Sequence, residues 1–333
     1  MNTSSHTMKG HSLCGTLAAA LGILMLTVGC HSTIKEDLSD CPQGTVFTFD
    51  ILYPQTINYS ETVREIRVFA FDEEGKLIEE ITDKPSAFVP SYKLSTDFYR
   101  PGKKTSFYAW GGANLSQYDF SGFKPGMTLG EMTVSLAKQG NKLPANASPL
   151  YAGKATKILD QTENIGTVID SVHIDFSQIT NRVKIIVEGL SAEGQYTIRF
   201  GAQNSRYGAD GKLLEDTPFD YTTKIEEGMG EHGKAIRGLF DILKLDPSLD
   251  YPVEVIDLNN GKVVYSFDLL KDFICYDGPF ATTANPLRLE RNHDFDIWIL
   301  VTEEKEPEKP KGTYFAVRAR ILDWNLVFRN IDW

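Results

Sequence analysis

Side chains able to carry chemistry are few in this chain and poorly spaced for it. Six histidines occur in 333 residues, and His31, His173, His232 and His293 lie far apart along the sequence. There is no His-x-x-x-His or His-x-His pair and no Cys-x-x-Cys, so zinc has no ligand set at its usual spacing. No Gly-x-Ser-x-Gly elbow or phosphate-cradling glycine loop is present. Asp72-Glu73-Glu74-Gly75 lacks the alternating oxygen ligands of a calcium loop and reads as a turn. Carboxylates are abundant, and Glu188, Asp294 and Asp296 flank strands. Strand alternation puts those three on the solvent side, which argues against a catalytic pair in a cleft. Trp110, Trp298, Trp324 and Trp333 could form a sugar-stacking platform or pack within sheets. The sequence thus gives no basis for an enzyme, a metal or a cofactor.

The cysteines say more. Cys30 ends Leu26-Thr27-Val28-Gly29-Cys30, behind the mostly apolar run Leu13–Val28. Its 16 residues fall short of the roughly 20 that span a hydrocarbon core, and match a signal-peptide h-region. Small residues before a cysteine resemble a lipobox, in which the thiol is diacylated and the chain is cut between Gly29 and Cys30. Thr27 stands where a large aliphatic residue is usual, with Leu26 one place earlier. The cut removes Lys9 and leaves 33 basic against 45 acidic side chains. Acyl chains on Cys30, palmitate among them, would hold the body to a membrane at about 0.8 kcal/mol per buried methylene. Behind them, Lys35-Glu36-Asp37 resembles a short surface-export signal of Bacteroidetes lipoproteins, or is a solvated charge cluster. Cys14 leaves with the leader, so Cys41 and Cys275 remain. In an oxidising envelope these two could form a disulfide; alternatively Cys275 is buried as a small hydrophobe.

The elements that must position all this are strands. Phe47, Phe49, Ile51 and Tyr53 share one parity, and Tyr196–Phe200 alternates without a break. Val183, Ile185 and Val187 share a face, as do Phe315, Val317, Ala319 and Ile321. Period two means half-buried strands of antiparallel sheets. Helical spacing is weak, at Leu129, Met132 and Leu136 and at Ile236, Leu239, Phe240 and Leu243. Asn260-Gly261 reads as a two-residue hairpin turn with both residues at positive φ. Phe71–Glu80 and Tyr207–Asp216 repeat one pattern, an aromatic strand end, an acidic-glycine turn and Lys-Leu-aliphatic-acid-acid. Their glycines, Gly75 and Gly211, are 136 residues apart, about one domain.

Composition sets the frame. Hydrophobic residues make 41% and charged residues 24%, the values of a globular chain and not of a disordered one. The length allows about two domains. With 34 basic against 45 acidic residues and a net charge of −11, nucleic acid is not an expected partner. The partition expected is a leader over 1–29, a lipidated tether over 30–44, an N-terminal sandwich over 45–177 and a C-terminal sandwich over 178–333.

A family resemblance rests on several of these pieces. The cysteine of the lipobox, a polar spacer and Glu36-Asp37-Leu38-Ser39-Asp40-Cys41-Pro42-x-Gly44 resemble the start of the FimB-like fimbrial anchor lipoproteins of Bacteroidetes. Ile66–Leu77, Phe107–Asn114 and Ile321–Trp324 look like further strands of that family. The resemblance implies a mainly β protein of two tandem transthyretin-like antiparallel sandwiches, lipid-anchored in the outer membrane. It also implies a function in cell adhesion: holding the base of a pilus and binding a pilin by β-strand exchange. Trp324, Leu326, Phe328 and Trp333 then mark the candidate partner-strand segment. A surface glycan-binding lipoprotein and a surface glycoside hydrolase are the alternative classes.

Overall fold

Alternating apolar residues commit most of the chain to strands, and a computed structural model shows how they assemble. It describes residues 41–53, 62–120, 122–159, 167–275, 287–303, 314–321 and 324–327. The first half supplies β1 (Gln43–Ile51), β2 (Glu65–Phe71), β3 (Leu77–Asp83), β4 (Tyr92–Thr96) and β5 (Lys104–Gly112). It continues with β6 (Tyr118–Asp119), β7 (Thr133–Leu136), β8 (Lys142–Pro144), β9 (Leu150–Ile158) and β10 (Val168–Gln178). The second half begins with β11 (Thr180–Leu190), β12 (Tyr196–Ala202), β13 (Arg206–Gly208), β14 (Leu213–Leu214), β15 (Phe219–Thr222) and β16 (Ile225–Gly230). Then come β17 (Gly233–Leu243), β18 (Pro252–Asp257), β19 (Lys262–Asp268), β20 (Asp294–Glu303), β21 (Tyr314–Ile321) and β22 (Trp324–Val327). Among the described residues no helix is long and apolar enough to cross a membrane. Residues 44–161 and 169–333 form one compact unit.

The seven-stranded sheet runs β3-β2-β5-β9-β10-β1-β4 and folds over on itself. Among the described residues β9 and β10 pair through Ser177–Ala152 and Gln178–Tyr151, and this corner joins a four-stranded layer to a three-stranded one. Between the layers lies a core that includes Phe47, Phe49, Val68, Phe107, Ile174 and Phe176. Phe49 and Phe176 stack there with ring centroids 5.1 Å apart.

The chain leaves this sheet at Gln178 and enters a six-stranded one, β16-β17-β11-β20-β21-β22, at Thr180. A five-stranded sheet, β19-β18-β12-β15-β8, faces it across a second core rich in Val, Ile and Phe. A small sheet, β14-β13-β7-β6, lies against the outer side of β2 and β5. β2 is consequently buried on both faces: Ile66, Val68 and Ala70 enter the first core while Phe69 and Phe71 enter the second. Although they precede Thr180, β7 pairs with β13 and β8 with β15. The second core is therefore continuous across the halves of the chain.

Several sequence expectations change here. Among the described residues the sheets are not wholly antiparallel: β11 with β20 and β15 with β8 are parallel ladders. β1 also runs in the same direction as its neighbour β10, with Val168 N–H to Pro42 O at 3.2 Å and Leu52 N–H to Phe176 O at 2.8 Å. Parallel pairing needs a connection of a dozen or more residues, and each of these pairs has a far longer one. The helical spacing at 236–243 belongs to strand β17, where Ile236, Phe240 and Ile242 are buried and Leu239 is exposed. At Leu129–Glu131 there is a 3-10 turn held by a Thr128–Glu131 capping box, followed by β7. The Asn260-Gly261 turn is a four-residue loop closed by the Asp257–Lys262 pair, with positive φ at Gly261 alone. Gly261 N–H reaches Asp257 O at 2.7 Å, a wider closure that spares Asn260 the left-handed region. In β21 a register shift opposite Leu300 and Val301 buries Ala316, which simple alternation assigns to solvent.

Candidate partner-strand interface

Strand exchange requires an edge, and the six-stranded sheet has two. At one, β21 pairs with β20 from Ile297–Ile321 to Glu303–Tyr314. β22 then folds back on β21 through four residue pairs, Ile321–Trp324 to Arg318–Val327. As the last strand of the sheet, β22 presents backbone groups on its far side that β21 does not use. Trp324 and Leu326 lie in this edge strand, while Phe328 and Trp333 fall outside the described residues. At about 0.5–1.5 kcal/mol net per backbone hydrogen bond, four pairs hold β22 by a few kcal/mol before side chains contribute. Exposed Arg318 and Arg320 flank it on β21.

The opposite edge is β16, five of whose six residues are exposed, with Met229 at 76% exposure. It is firmly held. Arg237 pairs with Glu226 at 3.0 Å, and Lys234 with Glu227 at 3.0 Å. Glu188 reaches up from β11 to accept His232 N–H at 2.5 Å and the Trp298 indole N–H at 2.8 Å. Glu188 is buried, contrary to the solvent position expected from alternation, because the β16–β17 turn and Trp298 close over it. A Cβ on Gly230 would collide with that carboxylate, which explains the glycine in the turn. Asp294 and Asp296 stay exposed, Asp296 paired with Lys184.

The two tryptophans whose side chains are described, Trp110 and Trp298, lie in different surroundings. Trp110 is fully buried, its indole N–H donating to Ala209 O at 3.2 Å, and Trp298 is half-buried against Glu188. Trp333 and the lipidation residues Gly29 and Cys30 lie outside the described residues. Cys41 and Cys275 are both half-buried, and Cys275 packs against the second core as a small hydrophobe.

Sequence reading missed a polar knot where the chain passes between sheets. Four successive backbone N–H groups at the end of β17 find side-chain acceptors. Leu243 N–H goes to Tyr221 Oη (3.2 Å), Lys244 to Tyr207 Oη (2.8 Å), Leu245 to Asn181 Oδ1 (2.8 Å) and Asp246 to Tyr251 Oη (2.9 Å). Tyr207 in turn donates its hydroxyl proton to Ile179 O. His293 is buried beside it, and burial together with the nearby Lys244 lowers its pKa to about 4. The tyrosines read in sequence only as apolar strand residues, so no local signal marked them.

Comparison with known proteins supplies a family. A family model for fimbrillin-A associated anchor proteins Mfa1 and Mfa2 matches residues 38–330. The minor fimbrium anchoring subunit Mfa2 of Porphyromonas gingivalis is 24% identical over 334 residues, covering 97% of each chain. The solved fimbrial anchor protein Mfa2 from Porphyromonas gingivalis superimposes with a TM-score of 0.71 at 20% identity, covering 86% of this chain and 99% of that one. At that identity the structural likeness carries the fold.

Proposed function

The chain belongs to the family of fimbrillin-A associated anchor proteins Mfa1 and Mfa2, and from that premise we propose that it fixes a fimbrium to the outer membrane. Residues 1–29 are the leader, removed at Gly29–Cys30, and diacylated Cys30 with the tether to residue 44 holds the protein to lipid. Residues 45–177 and 178–333 are two transthyretin-like sandwiches, and the second joins a fimbrial subunit by β-strand exchange at the segment 324–333. The observation that carries the reading is the family match over 38–330. It is supported by β22 lying at a sheet edge, where added strands gain backbone hydrogen bonds and alternate side-chain pockets. Deleting 324–333 is expected to abolish fimbrial attachment while the lipoprotein stays in the outer membrane. Fimbriae retained at the wild-type level would overturn the assignment of that segment. A joint of this kind also withstands high salt, since its contacts are not screened charges.

A further inference from the structure

The outer face of the five-stranded sheet carries a cleft of about 380 Å³, within the roughly 300–1,000 Å³ of small-molecule sites. Its centre is Gly201 on β12, an outward-facing position between Arg199 and Gln203. A Cβ there would stand 2.9 Å from Pro252 Cγ, so a side chain at this position would fill the cleft. Glycine leaves a dish whose floor is Gly201 and Ala202 and whose walls include the rings of Pro218 and Pro252. Around the rim stand planar polar groups: Arg199, Asp220, Glu254, Asp250, Asn141 and Gln203. Cross-strand register fixes several of them, with Arg199 opposite Glu254 and Gly201 opposite Asp220.

We propose that this dish binds a saccharide unit, a site independent of the fimbrial joint. Two of the three rim carboxylates are neutralised, Glu254 by Arg199 and Asp250 by Lys271 at 2.5 Å, and Asp220 remains as a hydrogen-bond acceptor. That partial balance disfavours a strongly charged ligand and suits a neutral polar one. Each sugar hydroxyl both donates and accepts, and vicinal hydroxyls match the two-atom forks of carboxylate, amide and guanidinium groups. The proline rings and the glycine floor offer C–H surface to the apolar face of a pyranose. Phe219 lies under the floor at 3% exposure, so recognition here relies on hydrogen bonds and not on aromatic stacking. Neither Trp110 nor Trp298 lines the cleft.

The test is ligand-observed NMR of the full chain with methyl glycosides of glucose, galactose, mannose, fucose and N-acetylglucosamine. Saturation transfer to at least one glycoside is expected. Binding should weaken about tenfold or more, about 1.4 kcal/mol, in Asn141→Ala and be lost in Gly201→Leu. Asn141 is exposed, so that variant keeps the fold and guards against a misfolded Gly201→Leu. Absence of transfer from every glycoside, or transfer unchanged in both variants, overturns the proposal. So does binding of a lysine-rich peptide at this cleft in place of the glycosides.

Discussion

His293 shows how its surroundings shift the protonation of a residue with no catalytic role assigned to it. It is 6% exposed, and its pKa falls to about 4 because burial and the Lys244 charge oppose protonation. An unfolded histidine titrates near 6.5, so the folded state binds the proton less tightly than the unfolded state. The contribution to stability is therefore complete above about pH 6.5 and disappears as pH falls toward about 4, reaching at most about 3 kcal/mol. Denaturant midpoints measured across that window should fall with acidification, and His293→Asn should flatten the dependence. A slope unchanged in the variant would assign the effect to other groups. Glu188 makes the complementary point: a carboxylate taken by alternation as solvated is instead the fastener of the β16–β17 turn.

The two echoing hairpins test how far an element is defined by its own sequence. Gly75 and Gly211 sit at φ of 74° and 75°. The hydrogen bonds repeat as well, Gly75 N–H to Asp72 O at 3.1 Å and Gly211 N–H to Gly208 O at 2.9 Å. The turns are locally equivalent, but their surroundings are not. Nothing lies within 4 Å of a Cβ on Gly75, whereas one on Gly211 would meet Ala152 Cβ at 2.8 Å. Gly75→Ala should cost only the left-handed penalty, about 1–2 kcal/mol. Gly211→Ala should cost more, because the tip of the second hairpin docks on β9 of the seven-stranded sheet, beside the Trp110–Ala209 hydrogen bond. Equal losses in equilibrium unfolding would remove the docking argument. Two turns with one sequence pattern thus do different jobs, one free and one a clasp.

At the scale of the whole molecule, that clasp, the shared second core and the tyrosine knot couple the seven-stranded sheet to the sheets around the second core. Calorimetry is expected to show one unfolding transition. Tyr207→Phe should lower that transition by about 1–3 kcal/mol without splitting it, since Lys244 N–H also reaches Ile179 O at 3.0 Å. Two separate transitions in the wild-type protein would mean independent domains. For a fimbrial anchor, coupling would let load pass from one sheet to the next without a hinge. Much of this was legible beforehand: period-two patterning determined the strands, the glycine turns determined the hairpins, and Asp37–Gly44 pointed to the family. These are local signals, carried by neighbours in sequence. Parallel pairing of β11 with β20, burial of Glu188 and the acceptors of residues 243–246 depend on segments far apart in the chain. Only the tertiary structure could decide them, because hydrogen-bond partners across a sheet or a core are chosen by packing and not by sequence spacing.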